Sequence, residues 1–206
     1  MNGANRTVAG PSHLWRERHP LASRTLAIPV VLTLILDVAS KSTANMAEVL
    51  WSCYWASALI AIGIMVDSEL LVSAGFIFQA AVGGPAWTLG LIYGSDVQFP
   101  SLLLHIVPPL VGLLYVSGMA EIPKAAAAVI AWLVHPVSLF ASLLWKDDQL
   151  NVNFSIAVWP PVAGFFPLPL FQALLVLTSL LLVIAMADLL DRWLCSRSNF
   201  ATRKQI

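Results

Sequence analysis

Long apolar stretches separated by short polar breaks dominate the chain. A helix needs roughly 20 apolar residues to cross a hydrocarbon core about 30 Å thick. Six stretches meet or approach that length, at about 25–39, 46–66, 70–93, 101–119, 125–145 and 168–187. The first is short and ends near Asp37, and the second carries no charge after Glu48. The third contains Gly83-Gly84-Pro85, which predicts a kink or break in the helix. The fourth carries His105 and Pro108-Pro109, and the fifth His135-Pro136. The sixth holds FQALLVLTSLLLVIAMA, an uncharged run.

Between the fifth and sixth stretches lies LNVNFSIAVWPPVAGFFPLP, apolar but broken by Pro160, Pro161, Pro167 and Pro169. Irregular backbone of this kind tolerates membrane depth only when it is buried against protein. Residues 146–169 are therefore expected to form an interfacial or partly re-entrant loop.

The pattern predicts an all-α, polytopic membrane helix bundle of about six transmembrane helices. Charge supplies its orientation. Arg6, Arg16, Arg18 and Arg24 precede the first stretch, and Arg192, Arg197, Arg203 and Lys204 follow the last. The internal loops share only Lys41, Lys124 and Lys146. Basic flanks stay on the cytoplasmic side, so both tails belong there, and an even number of spans follows. The expected organisation is a retained cytoplasmic tail at 1–24, a transmembrane bundle at 25–190 and a second cytoplasmic tail at 191–206, in the inner (cell) membrane. Trp15 and Trp193 would mark the inner interface, Trp145 and Trp159 the outer one.

Composition agrees with this placement. Hydrophobic residues make up 59% of the chain and charged residues 11%, where a soluble domain carries roughly 25% charged. Basic and acidic residues balance at 11 each, which gives no sign of a nucleic-acid partner. Cys53 and Cys195 lie at different depths, which disfavours a disulfide. No nucleophile elbow, phosphate loop, zinc-protease motif or dinucleotide fingerprint occurs, and no cofactor is implied.

Ionisable groups inside a membrane are expensive and become functional candidates by default. His105 lies about 6 Å inside the outer end of its stretch and His135 about 15 Å inside the end of its own, at 1.5 Å per residue. That offset argues against a haem held between the two, and no third ligand at helical spacing supports a metal. Asn151 and Asn153 follow the fifth helix on the same membrane side as the start of the fourth. The expectation is a shallow cavity of His105, Asn151, Asn153 and Trp145, with His105 within reach of one asparagine. Such a cavity would bind a lipid head group or set His105 against it as a general base. A structural alternative stands beside it: the asparagines cap a helix end and satisfy loop carbonyls, while His105 bonds neighbouring backbone. His135 likewise has a structural reading, satisfying backbone groups freed by Pro136. Capping by Asp67 or Ser68, an Asp188–Arg192 pair and a Trp51/Trp55 packing stripe are expected on spacing.

SLLLHIVPPLVGLL followed by LNVNF resembles a pattern of bacterial multi-pass inner-membrane proteins with no known activity, in which a His-x-x-Pro helix precedes an Asn-x-Asn loop. The matching residues are His105, Pro108, Asn151 and Asn153, and the likeness extends over about 46–155. The chain departs from the pattern with Phe154 where Trp is usual, and with Tyr54 and Gly90 near positions that hold acids. The resemblance implies a membrane fold and singles out the same loop. It implies no reaction, and whether the chain is an enzyme stays open. The leading expectation is binding or modifying a membrane lipid head group near the outer interface. The alternatives are a small transporter or permeation pathway, and a structural subunit with a membrane-protein partner or a second copy of itself.

Overall fold

The computed structural model describes residues 24–41, 43–93, 98–119, 121–145, 152–154 and 157–203, and all regular structure among them is helical. In chain order the α-helices are α1 (Ala27–Ser40), α2 (Ser52–Met65), α3 (Glu69–Phe78), α4 (Gly84–Ile92), α5 (Phe99–Val116), α6 (Lys124–Trp145) and α7 (Leu168–Arg203). Four stretches are long and apolar enough to cross a membrane: Glu69–Ile92, Phe99–Val116, Lys124–Trp145 and Leu168–Arg197. The first of these joins α3 and α4 into one rod.

The predicted break at Gly83-Gly84-Pro85 takes a milder form. Residues Gln79–Gly83 make one π-helical turn, in which the Gly84 N–H reaches the Gln79 carbonyl five residues back. The wider turn absorbs the missing Pro85 donor and the helix runs on. Pro108 and Pro109 sit inside α5 and Pro136 inside α6, again without ending either helix.

The second apolar stretch is shorter as a helix than its hydropathy suggests. Thr43–Leu50 winds as 3-10 helix and α2 begins only at Ser52. α1 and α2 each have 14 residues, about 21 Å of rise, less than a full hydrocarbon core. Ser52 nevertheless sits beside Ser138, with the two hydroxyls 2.5 Å apart. Ser138 lies seven residues, about 10 Å, below the end of α6. The start of α2 is therefore recessed below the end of its neighbour.

α2 is the centre of the bundle, packing against α1, α3, α5 and α6. Its seam with α3 is the tightest. A Cβ on Gly75 would stand 2.5 Å from the Ala56 carbonyl oxygen, and one on Gly63 2.7 Å from the Val72 nitrogen. Small residues allow this backbone approach where lipid offers no hydrophobic drive between helices. The turn joining the two helices is equally tight. Asp67 adopts φ 55°, the Ser68 hydroxyl accepts from Leu71 N–H as the expected N-cap, and Tyr115 donates its hydroxyl to Asp67 Oδ1 at 2.7 Å.

α7 packs on α6, and Trp132 Nε1 donates across to the Val176 carbonyl. At the end of the bundle that holds Asp67, the expected Asp188–Arg192 pair forms at 2.6 Å. Lys124 joins it, bridging Asp188 and Asp191.

Candidate functional site

The buried polar groups gather toward the opposite end of the bundle, where the short helices leave room. Asn153 is 2% exposed and centres the group. Its Oδ1 accepts from the Ser52 N–H at 3.1 Å and from the Ser52 hydroxyl at 2.9 Å. Its Nδ2 donates to the Leu50 carbonyl at 2.8 Å and to Ser142 Oγ at 2.9 Å. The side chain thus caps the N-terminus of α2 from a loop about a hundred residues away, a position where no local side chain does so. Backbone geometry adapts to hold it there. Asn153 and Phe154 take φ 52° and 57° in succession, a left-handed pair that an asparagine tolerates better than a phenylalanine. Phe154 is fixed by ring contacts with Trp51 and Phe171, and its carbonyl accepts from Gln172 Nε2 at 2.9 Å. Phe154 therefore completes a three-ring cluster.

His135, on α6, joins the same group. Its Nδ1 faces Ser52 Oγ at 3.5 Å, and the Ser138 hydroxyl donates to the His135 carbonyl. Asn153 Oδ1, Ser138 Oγ and His135 Nδ1 all converge on the Ser52 hydroxyl, and the tautomer of the ring sets the direction of the last contact. Nε2 is buried without a partner. Serine and histidine meet here inside one buried hydrogen-bonded group.

His105 does not reach Asn153. An amide side chain offers two acceptor and two donor positions, and the four bonds above fill them, leaving none for His105 directly or through water. Instead His105 Nδ1 bonds the Ser101 carbonyl at 2.8 Å, and its ring stacks on Trp87 with centroids 4.8 Å apart. The stack ties α4 to α5. Trp145 is 57% exposed on the outside of α6 and takes no part. Asn151 lies outside the described residues.

Several residues of this end carry no motif. Gln79, at the π turn, donates Nε2 to the Cys53 carbonyl at 2.8 Å and to Ser57 Oγ at 2.7 Å, with its Oε1 buried and unpartnered. Asp37, Lys41 and Glu48 form a linked ion cluster at the end of α1. The available signal was the four-residue spacing of Asp37 and Lys41 beside an apolar run.

Next to the polar group runs an open groove of about 470 Å³ between α1, α2 and α6. Its walls are almost wholly apolar, with Leu34 on α1, Tyr54, Trp55 and Ala58 on α2, and Leu133 and Val137 on α6. Tyr54 also carries a buried hydroxyl with no hydrogen-bond partner. Compared with protein-family models, curated proteins and solved structures, the chain matches none.

Proposed function

We propose that this protein binds a membrane lipid, holding an acyl chain in the groove between α1, α2 and α6 and the head group at the end of the bundle that carries Asn153. The groove carries the reading. Its volume falls in the range of small-molecule sites, roughly 300–1,000 Å³, and its lining is apolar with exposed walls at Trp55, Ile62, Leu133 and Val137. A cleft of that character on a bundle of membrane-spanning helices is in contact with acyl chains. From Tyr54 to Ile62 it descends eight residues of α2, about 12 Å, enough for much of one chain in one leaflet.

The surrounding architecture on this reading is a six-crossing bundle in the cell membrane, with both termini cytoplasmic and α1 and α2 crossing a locally thinned region. The recess over α2 is then covered by a re-entrant loop, pinned by Asn153 in the outer half of the membrane. The polar cluster of Ser52, His135, Ser138, Ser142 and Asn153 supports the groove by fixing the relative height of α2 and α6, whose side chains form two of its three walls.

The test is lipid retention. The protein is purified in mild detergent and its co-purifying lipid measured by mass spectrometry, beside Ala58→Trp, which fills the groove without touching the polar cluster. The native chain should hold lipid through delipidation, and the variant should lose most of it while unfolding at an unchanged temperature. Equal retention by the two would overturn the groove as the lipid site.

A further inference from the structure

α7 runs on past its apolar span. The uncharged run closes at Ala187, and the helix continues from Asp188 to Arg203, about 24 Å at 1.5 Å per residue. Leu190 and Leu194 hold the start of this part in the apolar core with Met119 and Ile122. Most of the charges here are matched. Lys124 bridges Asp188 and Asp191, and Arg192 pairs with Asp188. Arg197 is left over. Among the described residues no carboxylate pairs with it, Glu121 of the neighbouring connection included. Its guanidinium is nevertheless held in place: Nη1 donates to the Ser117 carbonyl at 3.3 Å, and Cζ lies 4.8 Å from the centroid of the Trp193 ring. A guanidinium carries five N–H donors in a planar fork that fits phosphate. The residue is exposed, so donors remain for a ligand.

The same contacts give its depth. Ser117 is the C-cap of α5, one of the helices long and apolar enough to cross a membrane. The guanidinium therefore stands at the level where that helix ends. Trp193 agrees, because indole rings settle at the height of the head groups. Toward the membrane the same face of α7 is apolar and exposed, with Leu189 one turn before Trp193 and Leu182 two turns before that.

We infer that Arg197, fixed against Trp193, holds the phosphate of an anionic phospholipid whose acyl chains lie along Leu189 and Leu182. This lipid is a second one, separate from the groove between α1, α2 and α6, and the inference does not rest on that groove. The phosphate supplies the counter-ion that Arg197 lacks, and the Ser117 carbonyl and the indole ring set the fork's position before the lipid arrives. An anionic head group such as glycerol adds no opposing charge. A zwitterionic head group brings a trimethylammonium to the guanidinium along with its phosphate, which cancels the attraction.

The full-length protein, with photoreactive benzoylphenylalanine in place of Ser196, is reconstituted in bilayer nanodiscs of equal phosphatidylglycerol and phosphatidylcholine with matched acyl chains. The lipids crosslinked on illumination are identified by mass spectrometry. Phosphatidylglycerol should exceed phosphatidylcholine about tenfold, which corresponds to about 1.4 kcal/mol. Arg197→Gln should bring the two to equal capture. Raising the salt from about 0.05 M to about 0.5 M should lower the preference several-fold by screening, a readout that does not depend on the arginine variant folding. Ala58→Trp, which fills the groove, should leave the preference as it is. Equal capture of the two lipids, or a preference that survives Arg197→Gln or high salt, overturns the phosphate site and leaves the groove reading standing. A preference lost in Ala58→Trp places the selective lipid in the groove and overturns this site as well.

Discussion

Asn153 shows how much a single side chain can hold in an apolar setting. Its amide closes the N-terminus of α2, takes the Leu50 carbonyl and reaches Ser142 on α6. Each buried group left unpaired costs about 1–3 kcal/mol, so Asn153→Ala should destabilise the protein by on the order of 2 kcal/mol or more. Asn153→Gly separates the two contributions, because glycine accepts the φ of 52° without strain but supplies no amide. It should lie between the alanine variant and the native chain in thermal unfolding in detergent. Asn153→Asp keeps the acceptor toward Ser52 and loses both donors, so it should fall short of native stability too. A glycine variant as stable as the native chain would show that the amide bonds hold nothing. The Asn-x-Asn loop was legible in the sequence as a polar pair that must find partners, and the helix that Asn153 caps is α2, about a hundred residues away. The identity of the partners was not legible. Ser52, Ser138 and Ser142 are ordinary residues of apolar helices, and only the folded bundle sets a serine from α2 against two from α6.

Among the helices, the seam between α2 and α3 is the element whose sequence leaves least latitude. Gly75 faces the Ala56 carbonyl and Ile60, and Gly63 faces Val72 and Leu71, at distances no Cβ can occupy unless something moves. The obstacle at Gly75 is backbone, which yields less readily than a side-chain tip. Gly75→Ala should therefore lower the yield of folded protein and cost about 1–3 kcal/mol, the usual range for overpacking. Gly164→Ala, with open space around it, should change neither. Equal loss in both, measured by size-exclusion monodispersity and thermal unfolding, would refute the seam. Helix existence was legible from hydropathy because a membrane bundle writes its spans as uninterrupted apolar runs. Helix length was less so. The run at 46–66 is apolar throughout its second half, yet α2 starts at Ser52, because hydropathy does not distinguish α-helix from the 3-10 winding of Thr43–Leu50. That difference of a few residues creates the recess, and with it the site.

Across the whole molecule the two ends differ in chemistry. The end with the α2–α3 turn carries Lys124, Arg192 and Arg197, the last donating to the Ser117 carbonyl. The other end carries the asparagine clasp and the Asp37–Lys41–Glu48 cluster, where the lysine is already held by acids. Among the described residues the first end thus holds several basic side chains and the second holds Lys41, and it is the number of basic residues near short loops that sets orientation. The expected topology puts the first end in the cytoplasm. A reporter fused after residue 200 should then read as cytoplasmic, and one fused within 146–150 as external. The short helices make a third fusion decisive. If α1 crosses despite its 14 residues, a reporter after Leu50 should also read as external. If α1 and α2 instead dip in and return, that fusion should read as cytoplasmic while the other two stay unchanged, since both arrangements keep the same parity. A bundle with four crossings would then replace the one with six.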